Sequence, residues 1–285
     1  MVVVTVNLVS LGLVSTSLAS PVLSDSEERI RAASEATHPA YTQDGILQKS
    51  LELAEKTSNE AFKASIRWNH AKEIMGKKYH RSVVKSGEKL ADIDALVLDW
   101  VKHGLRKPYK RYAKALTHTI TDVSTQYGMD PLFLLAVIEN ESSFDTTVVG
   151  SHGEIGLMQI TPDTAQWVSD RFNIPYKGKQ SLKNPMVNVK LGAAYLAYLR
   201  EKFENQSHLY LAAYNMGSGN VYRALAKRIT PKIYPDRVMT RYLKYYTKLK
   251  AEIQRVAKEM TEAAERNQKA SLMGGRHDYN VSSLF

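Results

Sequence analysis

From Ser24 to about Leu105 the chain reads as charged helix. Leu51, Ala54, Phe62, Ile66 and Ile74 recur at roughly helical spacing between Ile46 and Met75, and residues 91–100 (ADIDALVLDW) form a second, shorter apolar run. Lys107-Pro108 breaks the pattern. A helix is then predicted from about Tyr109 to Tyr127, stopping at Gly128, a residue type suited to a helix C-terminus. Asp130-Pro131 restarts the chain, because Asp caps a helix N-terminus and Pro fits the first helical position. The helix that follows, PLFLLAVIENES, is apolar almost all round and should be buried. After Phe144 the text DTTVVGSHGEIG suggests a loop or a small hairpin. Thr161-Pro162 and Asn184-Pro185 repeat the start signal and open helices at about 162–172 and 185–204. Two short helices follow, one ending at Asn215 and one over about Ser218 to Arg228. A long helix is predicted for about Asp236 to Glu265, and the last twenty residues lose periodicity and are expected to fray.

The pattern therefore predicts a mostly α protein whose main domain has one small loop or hairpin insert. Residues 20–107 read as a helical accessory region without a motif, 108–250 as the main domain, and 251–285 as a helix end and tail. The first residues change the picture. Residues 2–19 carry no charge and no Pro, and Ser17 and Ala19 form the small-x-small pattern of a cleavage site before Ser20. Residues 1–19 are read as an export signal, although no Lys or Arg precedes the apolar stretch. Retained, the same stretch is a membrane anchor at the short limit for a span.

Composition narrows the function classes. Of 285 residues 44% are hydrophobic, enough for an ordinary core. The formal net charge is +10 and the pI about 9.5, which favours an anionic partner without choosing one. There is no Cys, which excludes disulfides, thiolate metal sites and a Cys nucleophile.

Candidate chemistry sits at the end of the apolar helix. Glu139 and Glu141 are two residues apart, so they point about 200° from each other and cannot face one site together. A carboxyl beside Leu134, Val137 and Ile138 is desolvated, which raises its pKa. A protonated Glu near neutral pH is what a general acid needs to protonate a glycosidic oxygen. On spacing alone, both read as ordinary helix-end surface residues.

Four motifs add to this in order: Glu141-Ser142-Ser143-Phe144; residues 153–160 (GEIGLMQI) followed by Thr161-Pro162-Asp163-Thr164-Ala165; residues 212–221 (AAYNMGSGNV); and Tyr242-Leu243. With them, residues 109–242 resemble the lytic transglycosylase (SLT) domain of glycoside hydrolase family 23. The resemblance implies an α+β lysozyme-like fold and a catalytic domain over 108–250, with Glu141 as catalytic acid/base. It further implies that Ser142, Met158, Gln159, Tyr214, Asn215 and Tyr242 bind substrate. Gln159 can donate to and accept from sugar hydroxyls and acetamido groups. Tyr214 offers an apolar face and a phenol hydroxyl, and Met158 is adaptable filler against an N-acetyl group.

The text departs from the family pattern in three places. Glu154 stands where Ala is frequent, and it is expected to face solvent. Gly150 stands where a Ser is usual. Val238-Met239-Thr240-Arg241-Tyr242 lacks the acidic and basic companions usual before the late Tyr. The implied reaction cuts the β-1,4 bond between N-acetylmuramic acid and N-acetylglucosamine and closes a 1,6-anhydro ring. It takes place in the periplasm, on peptidoglycan glycan strands, with no cofactor, no metal and no nucleic acid. A monomer is expected, with peripheral association to membrane or cell-wall machinery open. A goose-type lysozyme-like hydrolase and a non-catalytic wall-binding protein of the same fold remain the alternatives.

Overall fold

The computed structural model describes residues 43–86 and 93–274. The expected export segment, residues 1–19, lies outside the described residues. The chain divides into two compact units, 1–56 and 57–285. Of the first, the described residues are the start of helix α1 (Gln43–Met75), where Leu47 and Leu51 stand exposed.

The second unit is built of helices around one main hydrophobic core. The buried stripe of α1 is Ala64, Arg67, His70, Ala71 and Ile74, at helical spacing. This corrects the expected apolar face, since Ala54 and Phe62 are exposed and only Ile74 of the five named residues is fully buried. Next come a 3₁₀ turn (Gly76–Arg81), one helical turn at Val83–Ser86, and α2 (Asp94–Gly104), which buries Val97 and Val101. Lys107 and Pro108 lie in a second 3₁₀ turn, Lys107–Tyr112, that leads into α3 (Ala113–Gln126). Side chains from Ala71 to Leu249 belong to the one core, on both sides of that turn.

The central helices start where local chemistry dictates. Asp130 Oδ1 accepts from the Leu132 amide at 2.8 Å and caps α4 (Pro131–Ser142). Thr161 caps α5 (Pro162–Phe172), and Asn184 caps α6 (Pro185–Lys202) by accepting from the Met186 and Val187 amides. Helix α4 is buried all round from Leu132 to Ile138, as its composition predicts. Between α4 and α5 the expected loop or hairpin is a loop, with two isolated bridges, Val149 to Ile155 and Ile155 to Ile160. The buried Asn188 side chain of α6 pins it. Asn188 Oδ1 accepts from the Met158 amide at 2.7 Å, and Nδ2 donates to the Ile155 and Leu182 carbonyls at 2.7 and 2.9 Å. Close approach is why Gly stands at 156: φ is +80°, and a Cβ there would meet Asn188 Nδ2 at 2.5 Å.

Two short helices, α7 (Ser207–Met216) and α8 (Ser218–Ala226), precede α9 (Ile233–Gly274). Helix α9 lays Tyr234, Val238, Tyr242, Tyr245, Tyr246 and Leu249 across α4 and the core. It runs to Gly274, past the expected fraying near residue 265. No Gly or Pro interrupts it there, the residues are strong helix formers, and exposed i,i+4 pairs such as Arg255–Glu259 (2.6 Å) support it.

Beneath α4 lies a buried polar cluster. The Asp130 carboxylate accepts from the hydroxyls of Tyr242 (2.7 Å) and Tyr246 (2.6 Å), with the Arg67 charge beside it. The Asp130 amide donates to His70 Nδ1 at 3.1 Å. These partners are why α1 can bury an arginine and a histidine.

Candidate active site

Where α4 ends, Ser143 and Phe144 both adopt left-handed backbone angles (φ 49° and 63°), so the chain leaves the helix sharply and Glu141 stays at its rim. Glu139 and Glu141 point apart, as two residues on one helix must. Glu139 accepts from Lys244 Nζ at 3.2 Å and lines a separate hollow with Trp100 and Tyr245. Glu141 opens on a cleft of about 350 Å³, lined also by Glu154, Gln159, Tyr195, Tyr214 and Asn215.

The buried Tyr234 hydroxyl donates a hydrogen bond to Glu141 Oε1. Burial pushes the Glu141 carboxyl up to about 6; the Tyr234 hydrogen bond, the Arg237 charge and a hydrogen bond from Asn140 pull it down, and the Glu154 charge adds to the upward push. The group is thus half-protonated near pH 6 and ionises readily, which suits a residue that gives a proton and takes one back.

The other implied residues separate into two sets. Gln159 is on the cleft, in a left-handed conformation (φ 45°), with its amide donating to the Gly156 and Val148 carbonyls at 2.9 and 3.2 Å. Tyr214 lines the cleft and donates to the Met158 carbonyl at 2.8 Å, and Asn215 is exposed beside it. Ser142, Met158 and Tyr242 lie away from it. The buried Ser142 hydroxyl donates to the Ile138 and Leu157 carbonyls and ties the helix end to the loop. The Met158 side chain is fully buried against Gly192, where a Cβ would fall 2.6 Å from its sulfur. Tyr242 is fully buried on Asp130.

The placement of Tyr242 has a geometric cause. Helix α9 crosses α4 antiparallel, so its first turn meets Glu141, while the residues about 12 Å further along its axis meet Asp130. The tyrosine on the carboxyl is therefore Tyr234. Sequence reading misses it because the pattern places the helix start at Asp236; the helix begins at Ile233, with Pro235 tolerated in the first turn. Tyr242→Phe removes a hydroxyl from the Asp130 cluster. It should lower stability by about 1–3 kcal/mol in urea unfolding and leave the turnover of the folded fraction within about twofold.

Glu154 is a second correction. Instead of facing solvent it lines the cleft, with 27% of its side chain exposed. His152 holds it, the backbone amide donating to Oε2 at 3.0 Å and the ring standing 3.4 Å from Oε1. The two departures from the family pattern form one feature, since a Cβ at Gly150 would fall 2.3 Å from Glu154 Oε2. The missing side chain at 150 makes room for the carboxylate at 154.

Opposite shifts of the pH profile test this electrostatic arrangement. Tyr234→Phe removes a hydrogen bond that favours ionised Glu141, so the loss of activity on the alkaline side moves to higher pH. Glu154→Gln removes a like charge, so the same limb moves to lower pH. Rates measured between pH 4 and pH 9 would show both; shifts of the same sign would contradict the assigned interactions.

Among the described residues, no group of three or more His, Cys, Asp or Glu could hold a metal ion.

A buried helix thus ends in one raised carboxyl that faces a loop-walled cleft. Residues 118–236, from α3 to the start of α9, match the Transglycosylase SLT domain. The soluble lytic murein transglycosylase of Salmonella typhimurium (strain LT2) is 38% identical over 101 residues, covering 35% of this chain and 15% of that protein. Membrane-bound lytic murein transglycosylase C of Histophilus somni (strain 2336) is 31% identical over 136 residues, 42% of this chain and 37% of that one. A solved structure of an inactive mutant of lytic transglycosylase Slt from Pseudomonas aeruginosa is 30% identical, with a TM-score of 0.45, covering 50% of this chain and 26% of that one. The chain thus spans well under half the length of the relatives it matches.

Proposed function

We propose that this protein is a peptidoglycan lytic transglycosylase that cuts the β-1,4 bond between N-acetylmuramic acid and N-acetylglucosamine. The observation that supports the reading is the Glu141 carboxyl, raised to about 6 at the end of a buried helix and held by Tyr234 at the wall of a cleft. Glu141 gives its proton to the glycosidic oxygen, which leaves with the bonding pair of the C1–O bond. The substrate's own acetamido oxygen supports the electron-poor C1. Glu141, now a carboxylate, takes the proton of the C6 hydroxyl, and O6 closes on C1 to form the 1,6-anhydro ring. The proton lent at the start is returned and no water is consumed. Gln159, Tyr214 and Asn215 hold the strand. The apolar, uncharged residues 2–19 and the net charge of +10 fit an exported protein that works in the periplasm on an acidic wall, an attraction that weakens with salt.

The position of Glu154 on the same cleft favours a second reading, hydrolysis, in which a second carboxylate activates water. Mass spectrometry of sacculi digested by the purified protein separates the two. Anhydro ends, lighter by one water, are expected; reducing ends throughout would replace the first reading with the second.

A further inference from the structure

Beyond the catalytic cleft lies a second hollow, of about 480 Å³, whose walls include Trp167, Tyr198 and Lys202. It shares Thr164 and Tyr195 with the first, so the two are neighbours across those side chains. Aromatic rings run along it. Tyr195 stands 5.6 Å from Tyr214 of the catalytic cleft, Trp167 stands 6.4 Å from Tyr195, and Tyr198 packs against Trp167 at 4.7 Å. Trp167 is on the outer side of α5, whose inner side buries Ala165 and Val168, and it leaves 40% of its surface in solvent. An exposed position of a surface helix ordinarily carries a polar residue. Here a large apolar ring is fixed by its neighbours, and the Arg171 guanidinium stands 5.6 Å from it.

We propose that this aromatic shelf is a further sugar subsite. It takes one more N-acetylhexosamine ring of the same glycan strand, stacked by its C–H face on Trp167. The inference rests on the reading of the catalytic cleft as a glycan groove. A pyranose ring has an apolar face and a polar rim. The exposed indole matches the face. Asp163, Lys202 and Ser218 around the hollow offer both donors and acceptors to ring hydroxyls and the acetamido group. The tyrosine packing holds the indole in place, so little side-chain freedom is lost when the sugar arrives.

The test uses the full chain with Glu141→Gln, which binds without cutting, titrated with β-1,4-linked N-acetylglucosamine oligomers of increasing length. Of the three tryptophans only Trp167 lines the hollow, so a change in emission on adding sugar reports on Trp167. Affinity should rise once the oligomer is long enough to pass Tyr195, with a change in emission at that length. Adding Trp167→Ala should weaken the long oligomers about tenfold, to the level of the short ones, and remove the emission change. Trp167→Phe should restore most of the gain in affinity. Long oligomers that bind the Ala variant as tightly as the parent would overturn the subsite alone. A parent that binds no oligomer of any length would overturn both the subsite and the groove.

Discussion

Glu141→Gln ends the release of soluble fragments from purified sacculi, a fall of about two to four orders of magnitude, and at the same time makes the protein more stable at neutral pH. Both effects come from one carboxyl. The amide keeps the shape of the side chain and can still accept from Tyr234, but it has no proton to give. The stability effect follows from the shift of the carboxyl from 4.5 to about 6, which is about 2 kcal/mol. A folded pKa above the unfolded one means that the folded state favours the protonated form. The stabilising contribution is fully present below about pH 4.5 and is lost as pH rises through about 6. At pH 7.5 the wild type therefore carries an unfavourable buried charge that the Gln variant lacks. The variant should gain up to about 2 kcal/mol there, and the difference should vanish near pH 4. Urea unfolding of both proteins at the two pH values measures it. A variant that is inactive but less stable at pH 7.5 would show that Glu141 supports the structure instead of being held against it.

Asp130→Ala should have the largest effect on stability, about 3–5 kcal/mol. The fully buried carboxylate accepts from Tyr242, Tyr246 and the Leu132 amide, and stands beside Arg67. Truncation leaves two phenol hydroxyls and the Leu132 amide without their acceptor and takes the negative charge from beside Arg67. Asp130→Asn keeps an oxygen acceptor and should lose less. Activity per folded molecule should change little, because the cluster sits at the opposite end of α4 from Glu141. A loss under 1 kcal/mol for Asp130→Ala would mean that the cluster is not what holds α1, α4 and α9 together.

Asp130 also shows how far the sequence can be read. Asp130-Pro131, Thr161-Pro162 and Asn184-Pro185 announce three helix starts within a few residues of text, because capping is a local bond between a side chain and the amides just after it. The burial of α4 is legible for the same kind of reason, since a helix apolar on every side has no face to offer water. The second partnership of Asp130 is not legible. Its hydroxyl donors lie 112 and 116 residues away. Nothing in the text marks Arg67 and His70 as buried, because a charge is expected in water until its buried partner is known. Tyr234 and Tyr242 are both buried on α9, and only the second lies within the helix that the text predicts. The direction in which α9 crosses α4 gives one to Glu141 and the other to Asp130.

By itself the sequence determined where most helices begin, which helix is central, and that Glu139 and Glu141 cannot face the same cleft. These follow from short-range geometry: caps, the 3.6-residue period and the twist between neighbours on a helix. Only the tertiary structure decided that Met158, Ser142 and Tyr242 are buried away from the cleft, and that Glu154 enters it through the space left at Gly150. It also set the Glu141 carboxyl at about 6. That value is a balance of burial and the Glu154 charge against hydrogen bonds from Tyr234 and Asn140 and the Arg237 charge, and Tyr234 and Arg237 come from a helix far away along the chain.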